Sequence, residues 1–267
     1  MEHPSPTRPA GPVSPRRHHA LVVLLAVTSG ALDALGFLAL GGVFASVMTG
    51  NLVLLGLGAG TRDGGLATHA LVAIGGFVLG VTVGARATRG VDAPAAPAWT
   101  RRLRALVAVE LGLVVVFAIG WELVRVRHST SGQLALVVLA ATAMGLQSAT
   151  MRVSTGNGRS TTYLTGTLTG AVMALAGGGR SQVEWPDLAV LAAAFAGAVL
   201  AGAVLTAQSS VAPAVPVVAL VGVLLVGRPR TVEVDGDGGP GGGPGGGPGQ
   251  HSRRGPGDDA DGGLPSA

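Results

Sequence analysis

Long apolar runs separated by short polar or arginine-bearing breaks make up most of this chain. Six runs, at about residues 20–41, 66–85, 105–124, 134–151, 188–208 and 211–227, approach or exceed the roughly 18 apolar residues of a membrane-crossing helix. Two further runs, 43–60 and 162–177, are just as apolar but carry Met48-Thr49-Gly50-Asn51 and Leu164-Thr165-Gly166-Thr167 within them. Non-helical backbone is tolerated at membrane depth only where protein buries it or it lines a cavity. Both segments are therefore expected to be broken or re-entrant half-helices. The pattern predicts an all-α fold: a polytopic membrane helix bundle of about six full spans plus two Thr-Gly segments.

The flanks differ in kind. Residues 1–19 are Pro-rich and polar, and residues 228–267 are a Gly/Pro-rich, low-complexity stretch; neither has an apolar face to bury, and both are expected to be disordered. The membrane domain is thus expected over 20–227. Arg16-Arg17 ahead of "ALVVLLAV" imitates an export signal, but the apolar run continues through "TSGALDALGFLAL" and more spans follow. Pro213 and Pro216 stand at the start of the last span, where proline costs least.

Composition supports the membrane reading. Only 12% of the 267 residues are charged, against about 25% in soluble domains, and the mean hydropathy is +0.53. There is no cysteine, which excludes disulfides and thiolate metal sites. All 18 basic residues are arginine, and the high isoelectric point raises nucleic acid as a partner. The arginines, however, cluster at the ends of apolar runs (Arg16, Arg17, Arg86, Arg89, Arg101, Arg102, Arg104, Arg152, Arg228, Arg230), as in the cytoplasmic loops of membrane proteins. The lipid bilayer is the expected partner, and nucleic acid is not.

The arginines also choose a topology. Eight full spans would put the loop 86–104, with five arginines and one acidic residue, outside. Six spans put that loop, both termini, Arg152 and Arg228 inside, in keeping with the positive-inside tendency. An odd number of spans, with one Thr-Gly segment crossing, is the main competitor. The two segments also occupy equivalent places in the halves 20–124 and 134–227. Asp33 precedes Thr49 much as Gln147 precedes Thr165, and each Thr-Gly segment is followed by a small-residue helix. Three spans per half make these inverted repeats, an arrangement common in secondary transporters.

"GALDALGFLALGGVFASVMTGNLVLLG" (30–56), then "AMGLQSATMR" and "TTYLTGTLTG" (143–170), carry a family resemblance. They resemble the two signatures of the YoaK family of bacterial integral membrane proteins of unknown function. The resemblance covers roughly residues 18–228 and implies a multi-pass bacterial inner-membrane protein, often suspected of transport, with no established substrate. Where that family commonly has a polar residue just before the Met, this chain has Ser46-Val47, which thins the polar rim of the first motif.

Candidate pathway residues follow from position. Asp33, in the first span with Ser29 on its face, costs about 2.5–3.5 kcal/mol at membrane depth and should face the interior. It is either a proton or cation site or a carboxylate that holds a neighbouring half-helix. Thr49, Gly50, Asn51, Thr165, Gly166 and Thr167 offer hydroxyls and freed backbone to a small solute, or they merely break helices. Gln147 is either a site residue or inter-helix glue worth about 0.6–2 kcal/mol. Gly76, Gly80, Gly84 and Gly197, with Ala193 and Ala201, are read as helix-packing faces. Glu110 is expected to snorkel toward Arg101, Arg102 or Arg104, and Glu122 beside Trp121 to lie at the interface. No catalytic set, metal-ligand spacing, cofactor motif or phosphate loop is apparent. The leading function is secondary transport of a small solute. A membrane scaffold or homo-oligomer that transports nothing is the alternative.

Reporter fusions after residue 95 and after residue 240 test the topology. Both should report the cytoplasm, and an external signal at 95 would sink the six-span reading.

Overall fold

The computed structural model describes residues 14–89, 100–127, 129–154, 164–177 and 185–228. Both tails expected to be disordered lie outside these apart from a few residues at their inner ends, and so does the unit Arg230–Ala267. Eight α-helices follow in chain order: α1 (Pro15–Ala39), α2 (Met48–Thr61), α3 (Gly64–Ala87), α4 (Arg101–Arg127), α5 (Thr130–Ser154), α6 (Leu164–Ala176), α7 (Trp185–Ala207) and α8 (Ala214–Val226). No strand occurs among the described residues.

Six segments are long and apolar enough to cross a membrane: Pro15–Ala39, Gly64–Ala87, Arg101–Arg125, Thr130–Ser154, Leu188–Ala207 and Ser209–Val226, the last joining a 3₁₀ turn to α8. The two remaining helices, α2 and α6, are the Thr-Gly segments. At 1.5 Å per residue, α2 and α6 reach only about 20 Å, less than the hydrocarbon thickness of about 30 Å.

Side-chain contacts fix the helix directions. Arg17 at the start of α1 donates to the carbonyls of Val226 and Arg228 at the end of α8, so these two helices run antiparallel. At the other end of α8, the Trp121 indole N–H near the end of α4 donates to the Ser209 carbonyl at 2.9 Å. Hence α4 runs with α1, and its hairpin partner α5 runs against both. Arg102 reaches the Arg89 carbonyl at 3.2 Å, which joins the end of α3 to the start of α4. Arg16, Arg17, Arg86, Arg89, Arg101, Arg102, Arg104, Arg152 and Arg228 consequently share one face of the bundle. Arg62, Arg125 and Asp63 lie on the other. The cationic ends of α3, α5 and α8 also complement the helix dipole there.

After α1 the chain reverses. Gly41 and Gly42 take φ of +88° and +77°, a region open to glycine at no steric cost. The following residues fold back along α1, close enough that a Cβ on Gly36 would meet the Val43 carbonyl at 2.7 Å. From that inward point α2 leads out again to the turn at Arg62 and Asp63, where the Asp63 carboxylate caps α3 by accepting from the Leu66 amide at 3.0 Å. The segment thus enters as irregular chain and leaves as helix on the side where α1 ended. That geometry matches the re-entrant expectation for 43–60.

Close packing is concentrated in two parallel crossings, α1 with α7 and α3 with α5. A Cβ on Gly30 would strike the Ala194 carbonyl, and one on Gly197 the Val27 carbonyl. In the other pair, a Cβ on Gly145 would strike the Phe77 carbonyl, and one on Gly80 the Thr142 carbonyl. Each glycine therefore admits a partner carbonyl lying one turn before that partner's own glycine. Gly76 and Gly84 continue the α3 face against Val138 and Ala149. Lipid offers no hydrophobic drive for helix association, so such backbone proximity supplies the dispersion that binds the pairs. Gly30 and Gly145 were not among the glycines expected to pack.

Substitution tests this directly. Gly145→Val and Gly197→Val should each lose at least the upper end of the about 1–3 kcal/mol typical of overpacking, because backbone must move. Gly112→Val, whose Cβ meets nothing within 4 Å, should stay within about 0.5 kcal/mol. Reversible unfolding in mixed micelles measures all three.

Candidate functional site

One polar cluster inside the bundle joins α1 to the re-entrant segment. Asp33 Oδ1 accepts the Ser46 amide at 2.7 Å and Oδ2 accepts the Ser46 hydroxyl at 2.5 Å, while the Ser29 hydroxyl donates to Ser46 Oγ at 2.9 Å. Ser29 and Ser46 are buried and Asp33 is half-buried. Asn51, fully buried at 0% exposure, holds the other side of the loop. Its Oδ1 accepts the Phe44 amide at 2.9 Å and its Nδ2 donates to the Phe44 carbonyl at 2.7 Å. The Phe44 ring stacks on Phe37 with centroids 5.2 Å apart, and Gly50 leaves room for it. One carboxylate and one amide thus satisfy backbone groups that the break frees, as the membrane interior requires.

This arrangement revises the reading of the first motif. Ser46, which looked like a thinning of the polar rim, supplies two of the hydrogen bonds to Asp33. Thr49 points to the exposed surface and takes no part in the cluster. Asn51 serves the loop backbone. In the second motif, Gly166 is exposed near the start of α6, which packs on α7 as α2 packs on α3. The side chains of Thr165 and Thr167 lie outside the described residues.

Asp33 and Gln147 are not in one cluster. Gln147, 2% exposed, donates through Nε2 to the Leu25 carbonyl at 3.0 Å. Leu25 is about 12 Å from Asp33 along α1 at 1.5 Å per residue. The glue reading of Gln147 accounts for its nitrogen, but its Oε1 is buried without a hydrogen-bond partner.

Glu110 corrects an expectation outright. It does not reach toward the arginines at the start of α4. It is 1% exposed, and neither carboxylate oxygen has a hydrogen-bond partner. The reason is helical phase: Leu103, Leu106, Val107, Glu110, Val114, Phe117 and Trp121 form the buried stripe of α4, which packs against α5 and α8. Position near a helix end suggested access to water, but the phase of the neighbouring apolar residues decides the direction. Glu122, as expected, stays partly exposed and pairs with Arg125 at 2.8 Å. Among the described residues no three His, Asp or Glu side chains are grouped to hold a metal ion.

Spans, a re-entrant half-helix and buried polar clusters define a multi-pass, all-α membrane protein with irregular backbone held inside the bundle. Residues 21–226 match the family described as "Protein of unknown function (DUF1275)", and the chain belongs to that family. It is 35% identical over 150 residues to the UPF0700 transmembrane protein YoaK of Bacillus subtilis (strain 168). That stretch covers 56% of this chain and 64% of the relative, just under two thirds of the relative's length. No solved structure matches the chain.

Asn51 carries a measurable prediction. Asn51→Ala leaves the Phe44 N–H and C=O unpaired in a half-buried place, at up to about 1–3 kcal/mol for each group. Thr49→Ala, which removes only an exposed hydroxyl, should be near neutral. Comparing thermal midpoints in detergent separates the two; equal midpoints would deny Asn51 its place in holding the loop.

Proposed function

We propose that the chain is a secondary transporter of a small polar solute in the bacterial inner membrane. It is built as two inverted repeats, α1–α4 and α5–α8, with both termini in the cytoplasm. The observation that carries this reading is the exchange of helix partners between the halves. Replacing each helix of the first half by its counterpart turns α1 with α7 into α5 with α3, and α1 with α8 into α5 with α4. The pairs α2 with α3 and α6 with α7 correspond in the same way, while α1 with α5 and α4 with α8 map onto themselves. The glycines follow the same rule, Gly30 answering to Gly145 and Gly197 to Gly80. This register pairs Asp33 with Ser148 and not with Gln147. Because α1 and α5 run in opposite directions, the relation between the halves is inverted.

Inverted repeats with matching broken segments are the architecture in which one half rocks against the other around a central site. Here the small-residue crossings would be the sliding surfaces, and the Asp33–Ser46 anchor would tie the re-entrant tip to α1. The nine arginines on one face favour that face as cytoplasmic.

Alternating access can be tested without a known substrate, since the chain has no cysteine. Thr49→Cys, at the exposed start of the re-entrant helix, should react with a membrane-impermeant maleimide from either side of oriented vesicles. Labelling from one side only, at every pH and with every solute tried, would favour the scaffold and reject this reading.

A further inference from the structure

Asp33 drew attention from the sequence, but its oxygens are engaged by the re-entrant loop. The unengaged carboxyl is Glu110. Both of its oxygens are buried and without partners, as is Gln147 Oε1. These side chains share a level in the bundle. A Cβ on Gly120 would meet Leu136 at 3.1 Å, and one on Gly132 would meet Val124 at 2.6 Å. Both contacts fit one antiparallel register of α4 and α5. Carried toward the arginine-bearing face, that register sets Glu110 opposite Leu146 and next to the level of Gln147. Gln147 in turn bonds the Leu25 carbonyl of α1 at 3.0 Å. Helices α1, α5, α4 and α8 pack in a ring, each against its neighbours.

We propose that Glu110 is a proton-binding site, with Gln147 Oε1 as the acceptor of its carboxyl O–H, and that this proton is the coupling ion of the transport cycle. The last clause rests on the transport reading above; the site itself does not.

The chemistry selects a proton. All three unengaged atoms are acceptors, and one added hydrogen on the carboxyl gives a donor that satisfies Gln147 as well. An ionised carboxylate with no partner in apolar surroundings would cost far more than the neutral acid. A hard metal cation takes about six or more oxygen ligands, and Val107, Val114 and Leu146 around this level offer none. Among the described residues of the helices packed around it, no counter-charge stands beside Glu110. Within α8 there is no titratable residue; Arg228 follows its end. Within α5 there is only Arg152, exposed at the helix end. On α1, reached through Gln147, the titratable groups are Arg16, Arg17, His18 and His19 at the start and Asp33, which is tied to Ser46. On α4 itself, Arg101 and Arg102 are exposed, Glu122 pairs with Arg125, and Arg104 lies about 9 Å nearer the arginine-bearing face at 1.5 Å per residue. Arg104 Nε is itself buried without a hydrogen-bond partner. Along α4, Arg104 is thus the charged group nearest to Glu110 in sequence.

Infrared spectroscopy of the protein in lipid vesicles reads the proton directly. The spectrum at neutral pH should hold a carbonyl band of a protonated, slowly deuterating carboxyl. Glu110→Gln should remove it and Asp33→Asn should retain it. Gln147→Leu, which leaves Glu110 in place and serves if Glu110→Gln fails to fold, should shift the band to that of a carboxyl without a hydrogen bond. An unchanged carboxyl spectrum in Glu110→Gln overturns the site, and an unchanged band in Gln147→Leu overturns the pairing. Coupling is read separately from Thr49→Cys labelling. Its two-sided ratio should change between mildly acidic and mildly alkaline buffer, and lose that change in Glu110→Gln. A pH response that survives Glu110→Gln defeats the coupling role. One-sided labelling with the infrared band intact defeats the transport reading and the coupling role, and leaves the proton site standing.

Discussion

Everything distinctive in this bundle depends on one requirement: backbone that leaves the helical ladder inside a membrane must find hydrogen-bond partners within the protein. The chain meets it at the first break with two side chains from opposite directions. Asp33 comes from the helix already traversed and takes the Ser46 amide; Asn51 comes from the helix about to begin and takes both backbone groups of Phe44. Either alone would leave part of the loop unpaired. Together they let eight residues of non-helical chain, 40–47, return along α1. The phrase Met-Thr-Gly-Asn makes sense in this light. Glycine clears the Phe44 ring and asparagine closes the loop, while the threonine is peripheral.

The same economy governs the helix crossings. Between membrane helices, close approach is the main source of attraction, and glycine is the residue that lets carbonyls come near. The two crossings use identical logic, with a glycine on each helix of the pair admitting a carbonyl from the other. Such contacts constrain sideways separation strongly. They impose little directional chemistry along the interface, since few hydrogen bonds cross it; Thr142 Oγ1 to the Gly76 carbonyl at 3.1 Å is one.

The all-α bundle, its six long apolar helices and its family were legible because they rest on run length, on composition and on two short motifs. The re-entrant path was legible from the conflict between an apolar run and its Thr-Gly-Asn interruption. What could not be read was which side chain meets which group. Ser46 looked incidental because one position in a loop says nothing of direction. Glu110 resembles a snorkelling residue by its distance from Arg104, whereas its direction is set by its phase on the helix. Leu103, Leu106, Val107, Val114 and Phe117 at helical spacing place it on the inward stripe, a signal present in the sequence all along. Gln147 was recognised as polar and central, but its pairing with Leu25 spans 122 positions, and no local pattern encodes such a partner.

The two intramembrane acids therefore divide along a physical line. A carboxyl whose two oxygens accept an amide and a hydroxyl is fixed in position by those bonds. Asp33 is suited to anchoring the loop. A carboxyl with no donors around it gains nothing from ionisation while the bundle is closed, and gains much once water or a counter-charge reaches it. Glu110 meets that description, and Arg104 of the arginine-bearing face stands about 9 Å from it along α4 at 1.5 Å per residue. Under the proposed proton site, a motion that opened the α4–α5–α8 contact toward that face would bring solvent and the guanidinium to the acid together. The polar residue easiest to see in the sequence is thus the one the fold has already occupied, and the capacity for change lies with the acid that the fold leaves unsatisfied.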